Sequence, residues 1–278
     1  MDKKIAIVTG ANSGIGTATS IELAKAEYKV IMLCRNQKKG STALEIVKEK
    51  SNSKDVNLAL CDLSSFSSIN EFCSNFINSN NKLDLLINNA GVILTKRQLN
   101  ANGIEYQFAV NYLAPFLLSN KLIYLMKKNE SARIINVSSG AHSVGKINFD
   151  NINFDKGYGA FKAYAQSKLA LIMFTYELSR ILKETNITVN CLNPGAVGTN
   201  IGINRETGSG TLIMKILRVF FKTPEQGAET SIYLATSPEL KNTSGLYFSN
   251  KKPIKSSKLS YDKELAKKLW QYSESIVF

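Results

Sequence analysis

A chain of 278 residues, 44% hydrophobic and 21% charged, suits one large α/β domain and lies far from the composition of a disordered polypeptide. No run of about 18 apolar residues occurs, which excludes a transmembrane helix, and Met1-Asp2-Lys3-Lys4 passes straight into Ile5-Ala6-Ile7-Val8 with no room for a leader peptide. The formal charge of +13 is scattered rather than blocked, and its lysines and arginines are not interleaved with stacking aromatics, so nucleic acid is not expected as a partner.

The first apolar run, Ile5 to Val8, is continuous, as in a strand buried on both faces of a parallel sheet. It ends in Thr9-Gly10, and a helical pattern begins near Gly14-Ile15-Gly16. Strand and helix then alternate: a strand over Lys29 to Leu33, a lysine-rich helix from Gln37 to Lys50, a strand over Val56 to Leu60, and a helix from Ser65 to Ile77. A fourth strand, Leu83 to Ile87, leads into Asn88-Asn89-Ala90-Gly91. A long apolar helix lies within Gly103 to Lys128, and a fifth strand runs from Arg133 to Val137. Ser138 to Ala160 reads as a loop; the only histidine, His142, lies in it and reads as a surface or loop residue rather than a general base. A helix carrying Tyr164 runs to about Lys183 and is followed by a strand, Ile187 to Leu192. A Gly/Thr-rich stretch then encloses an apolar helix, Leu212 to Phe221. A helix at Pro224 to Thr236, a strand at Leu246 to Phe248 and a helix at Tyr261 to Tyr272 close the chain. This alternation predicts one doubly wound, Rossmann-type parallel sheet of about seven strands with helices on both faces. A single domain over 1–278 suffices. Cys34, Cys61, Cys73 and Cys191 lack metal-ligand spacing and read as free thiols of a reducing compartment, hence a cytoplasmic location and no metal.

Two features point to a dinucleotide. Thr9-Gly10-Ala11-Asn12-Ser13-Gly14-Ile15-Gly16 stands between the first strand and the first helix. Glycines there permit a tight turn, and the helix N-terminus offers unpaired N–H groups to a pyrophosphate. At the end of the second strand, where a carboxylate would select NAD, the chain has Cys34-Arg35-Asn36, with Lys38 and Lys39 behind. A guanidinium there favours the extra phosphate of NADP(H). The basic surface is then one that draws in a phosphate-bearing cofactor.

Taken in order, Thr9 to Gly16, Asn88-Asn89-Ala90-Gly91, Asn136-Val137-Ser138-Ser139, Tyr164-x-x-x-Lys168 and Pro194-Gly195 resemble the short-chain dehydrogenase/reductase family over nearly the whole chain. Cys34-Arg35-Asn36, Val110-Asn111-Tyr112-Leu113, Ser167-Lys168-Leu169-Ala170 and Ser244-Gly245-Leu246-Tyr247-Phe248-Ser249 resemble its retinol-dehydrogenase-like branch. So does the long interval from Ser139 to Tyr164, which selects Ser139 over Ser138 as the catalytic hydroxyl and leaves Ser138 on the cofactor side. The chain departs from that branch in lacking an N-terminal hydrophobic anchor and in having Pro115 where a glycine-histidine pair is common.

The resemblance implies a cofactor site of Gly10, Asn12, Ser13, Gly14, Ile15, Gly16, Arg35, Asn36, Asp62, Leu63, Asn89, Ala90, Gly91, Tyr164, Lys168, Pro194, Gly195, Val197 and Thr199. It implies catalysis by Asn111, Ser139, Tyr164 and Lys168. Tyr164 would exchange a proton with the substrate oxygen. Lys168, four residues on and one helical turn away, would lower its pKa and hold the nicotinamide ribose. Ser139 would bond the substrate oxygen, and Asn111 would hold a water relaying protons from Lys168. The expected activity is NADP(H)-dependent reduction of an apolar aldehyde or ketone; the alternative is a non-catalytic NADP(H) sensor or scaffold on the same fold. Residues 198–223 read either as a glycine-hinged lid over that substrate or as a helix packed permanently on the core. A homodimer through the helices that follow Asn111 and Tyr164 is a further possibility the resemblance raises.

Overall fold

The computed structural model describes residues 3–196 and 222–278. The segment read as a lid, apart from Lys222 and Thr223, and the cofactor candidates Val197 and Thr199 lie outside the described residues. Seven strands are mutually parallel: β1 (Ile5–Thr9), β2 (Lys29–Cys34), β3 (Val56–Leu60), β4 (Leu85–Asn88), β5 (Ala132–Val137), β6 (Ile187–Asn193) and β7 (Tyr247–Ser249). An eighth, β8 (Lys252–Ile254), turns back antiparallel to β7. The sequence hides this strand because Lys252, Pro253 and Ile254 are all exposed and carry no apolar period. Asn250 and Lys251 make the turn that leads into it, both with positive φ (49° and 62°), as the mirror-image turns of tight hairpins require.

The strands lie in the order β3-β2-β1-β4-β5-β6-β7-β8. Their side chains alternate between two cores. Ile5 and Ile7 of β1 join a core built with α3 (Phe66–Ser79), α5 (Ala114–Met126), α6 (Ala160–Ile181) and α8 (Lys263–Val277). Ala6 and Val8 join the opposite core, built with α1 (Gly14–Lys25), α2 (Gln37–Ser51) and α7 (Pro224–Thr236). The chain winds outward from β1 to β3 and returns to lay β4 beside β1, so a crevice opens between these two strands at their C-terminal ends.

A one-turn helix, α4 (Tyr106–Phe108), passes into a π turn, Ala109–Leu113, before α5 begins. Pro115 explains part of the irregularity. It has no N–H for the Asn111 carbonyl four residues back, so the α-helical bond is missing at that point. On the far side of α5 and α6 lies α8. Its Trp270 ring sits 4.9 Å from that of Phe116 and 5.8 Å from that of Phe174, and Ser273 hydrogen-bonds the Tyr112 hydroxyl at 2.6 Å. Apolar residues of the helices through which the resemblance raised a homodimer, among them Phe116, Leu117, Leu169 and Phe174, are buried inside one chain.

Candidate active site

Thr9 closes β1 and organises the crevice. Its Oγ1 accepts the N–H groups of Asn89 and Ala90, both at 2.9 Å, while the Asn89 amide donates back to the Thr9 carbonyl at 2.8 Å. These bonds lock the end of β4 onto β1, and they make Thr9 a site residue whose role the sequence did not disclose. Gly10 follows with φ 64°, and a Cβ there would stand 2.9 Å from Ala90 Cα. A Cβ on Gly16 would stand 2.3 Å from the Gly10 carbonyl oxygen. Both glycines are therefore demanded by close backbone approach.

Ser13 begins α1 without any side-chain cap. The N-termini of α2, α3, α7 and α8 are instead capped by Asn36, Ser65, Thr223 and Asp262. The first-turn N–H groups of α1 are thus left for an anion, and the residues fit a dinucleotide pyrophosphate. Asn12, Ser13 and Gly14 share a cavity of about 620 Å³ with Lys38, Lys39 and Lys50, a basic wall beside that helix end. Arg35 is exposed at the end of β2, where its Nη1 donates to the Tyr106 hydroxyl at 2.6 Å. Asn36 spends its side chain on the Lys39 N–H, so it acts here as a helix cap. Asp62 accepts from the Ser64 N–H and hydroxyl at 2.9 and 2.7 Å, and buried Leu63 stands beside it. At the end of β6, Pro194 leads to Gly195 (φ 85°), whose N–H donates to the Asn193 side chain at 3.0 Å.

The catalytic candidates converge beside this crevice. Ser139 caps the short turn after β5, its Oγ accepting the Ala141 N–H at 3.2 Å. The Tyr164 phenol on α6 is near enough to that hydroxyl for Ser139 to hold its pKa down against burial. Lys168 stands one turn further along, with Nζ 5.7 Å from the Tyr164 ring centre and donating to the Val137 carbonyl at 2.8 Å. Gly91 has no side chain where a Cβ would lie 3.4 Å from Lys168 Nζ and 3.6 Å from Asn111 Oδ1. Ser138 faces inward and donates to the Lys168 carbonyl at 3.0 Å, so it secures α6 and is unavailable to a substrate.

Three expectations need revision. Asn111 is fully buried, and its side chain is consumed: Oδ1 accepts the Val92 N–H at 2.8 Å, while Nδ2 donates to the Val92 carbonyl at 2.9 Å and to Ser167 Oγ at 3.0 Å. Its backbone carbonyl, which Pro115 leaves without its α-helical donor, is the other acceptor it can offer a water. Next, burial works against the lowering of the Tyr164 pKa expected of Lys168. Burial pushes the phenol above its ordinary value, and only the hydrogen bond from Ser139 opposes the rise. Lys168 itself is brought down to about 8 because its charge is buried. Finally, His142 is not a surface residue. It is buried, with both ring nitrogens on main-chain partners.

The family model for short chain dehydrogenases matches residues 4–209. Human retinol dehydrogenase 13 is 40% identical over 279 residues, covering 99% of this chain and 84% of that protein. Human polyprenol dehydrogenase is 38% identical over 277 residues, covering 97% and 84%. Among solved structures, an uncharacterised protein from Mycobacterium paratuberculosis superposes with a TM-score of 0.79 at 28% identity, covering 99% of this chain and 93% of that one.

Proposed function

Because the chain belongs to the short-chain dehydrogenase family, we propose that it is an NADP(H)-dependent oxidoreductase that reduces an apolar aldehyde or ketone. The observation that carries this reading is the convergence of Ser139, Tyr164 and Lys168 at the mouth of the β1–β4 crevice. A sensor or scaffold would have no use for such a complete set.

The bound dinucleotide supplies the hydride; positioning and proton handling fall to the chain. The Ser139 hydroxyl, with one lone pair held by the Ala141 N–H, donates a hydrogen bond to the substrate oxygen where negative charge develops. The phenol of Tyr164, kept protonated by burial, delivers a proton to the same oxygen. Lys168 would hold the nicotinamide ribose and would return a proton to the phenol through a water on the Asn111 carbonyl. Arg35 and the Lys38–Lys39 wall support NADP(H) over NAD(H), since a phosphate gains there what a bare ribose hydroxyl does not. The apolar substrate class is supported by the names of the relatives, retinol and polyprenol being long isoprenoid alcohols. Four unpaired, buried cysteines support a reducing, cytoplasmic setting; no helix among the described residues is long and apolar enough to cross a membrane.

The test is loss of NADPH absorbance with a panel of aldehydes and ketones for wild type and Tyr164→Phe. Tyr164→Phe should cut kcat by about 10²–10⁴-fold while binding NADPH normally. Equal rates for the two proteins would remove Tyr164 as the acid, and a preference for a polar triose over a hydrophobic aldehyde would remove the substrate class.

A further inference from the structure

The only histidine of the chain is built into the turn that carries Ser139. Its Nδ1 lies 2.8 Å from the Ser139 carbonyl oxygen, and its Nε2 lies 3.0 Å from the Ser257 N–H. A carbonyl can only accept and an amide N–H can only donate, so one arrangement satisfies both: a neutral ring with the proton on Nδ1 and the lone pair on Nε2. Tyr247 of β7 packs edge-on against the ring at 4.9 Å between centres. Ser257 belongs to the strap that follows β8, and the strap is itself fastened to α6. Ser256 bonds the Tyr176 hydroxyl at 2.7 Å, and Tyr261 stacks on Tyr176 at 5.2 Å. One imidazole therefore joins the main chain of Ser139 to a residue 115 positions beyond His142 itself.

We propose that His142 is a positioning residue for hydride transfer, tying the Ser139–Ala141 turn to the C-terminal strap so that the Ser139 hydroxyl stays aimed at the substrate oxygen. This rests on Ser139 being the substrate-facing hydroxyl. A side chain whose proton goes to the carbonyl of the catalytic residue fixes that residue's backbone, and with it the direction of its Oγ. The tether is also sensitive to acid. A proton on Nε2 sets one N–H against another at Ser257 and breaks the strap arm. Among titratable groups Tyr247 from β7 faces the ring, its hydroxyl 3.5 Å from Nδ1; Tyr176 of α6 and Tyr261 pack on the strap beside Ser257, and Lys255 and Lys258 flank Ser257 and are exposed. Burial holds the imidazole below its ordinary value of 6.5. The neutral form is thus present above the ordinary histidine range and is lost as pH falls through the lowered folded value.

Three replacements separate the two arms. H142N sets an amide near the Nδ1 position and keeps the donor to Ser139. H142Q sets an acceptor near Nε2 and keeps the Ser257 arm, while S257P removes the strap N–H at a residue whose φ is already −61°. Kinetics with NADPH and a hydrophobic aldehyde from about pH 5 to 9 provide the readout. H142Q and H142N should each lose about tenfold in kcat at unchanged KM for NADPH, because each cuts one end of the tether. S257P and H142N should both lack the acid limb of the wild-type profile, a signature that loss of packing alone would not produce. Wild-type kcat in H142Q, or an acid limb that persists in H142N, overturns the tether. S139A is run alongside: undiminished kcat in S139A overturns the serine assignment, whereas its loss beside a fully active H142Q overturns only the tether.

Discussion

Lys168 is the most expensive side chain in the site. Its ammonium is buried, with one hydrogen-bond partner among the described residues, the Val137 carbonyl at 2.8 Å. Burial lowers its pKa from 10.5 to about 8. Between those two values the unfolded chain binds more proton than the folded one, so stability rises with pH across that window and the full penalty applies below it. Lys168→Met should therefore raise the unfolding free energy at neutral pH by about 1–3 kcal/mol while hydride transfer falls at least about 10²-fold. Urea melts from neutral to alkaline pH check it, and a less stable Lys168→Met would show that the buried cation is no burden. Arg35 is the other residue with a decisive charge. Arg35→Asp should raise KM for NADPH by about 10–100-fold and lower it for NADH, because a carboxylate repels the phosphate and accepts from a ribose hydroxyl. Unchanged KM values for both would remove Arg35 from the cofactor site. Asn36 shows why adjacency along the chain did not translate into a shared role: the side chain next to Arg35 was claimed first by the N-terminus of α2.

At the scale of elements, the β1–α1 turn was legible because its demands are local. A glycine at position 16 is required by a carbonyl six residues back in the same turn. Gly16→Ala should abolish the fluorescence enhancement of bound NADPH, since a Cβ 2.3 Å from the Gly10 oxygen forces the turn apart. Retained enhancement would mean that the turn does not seat the cofactor. Strands β1 to β7 were legible for the same kind of reason: each is a short, mainly apolar run bounded by turn residues, even β3, which lies half exposed at the sheet edge. The eighth strand was not, because an exposed three-residue edge has no apolar period and owes its existence to the Asn250–Lys251 turn. The loop between Ser139 and Tyr164 also held more order than its composition suggested. Two short helical turns cross it, and the first carries His142 into the core.

Across the whole molecule, α8 decides what α5 and α6 can do. Trp270 closes over Phe116 and Phe174, burying side chains that would otherwise form a continuous apolar face. The intact protein should sediment as a single chain at micromolar concentration. Trp270→Ala should cost about 3 kcal/mol in a urea melt, and a cost under about 1 kcal/mol would mean that α8 is a loose appendage rather than part of the core. By itself the sequence determined the order of strands and helices, the glycine turn, the basic strand end and the Tyr164–Lys168 pair, because these depend on residues within a few positions of one another. Only the tertiary structure decided which polar groups were already spoken for: Asn111 by Val92, Ser138 by α6, His142 by a strap from the other end of the chain. Hydrogen-bond partners that distant are chosen by packing, and packing leaves no periodic trace in the sequence.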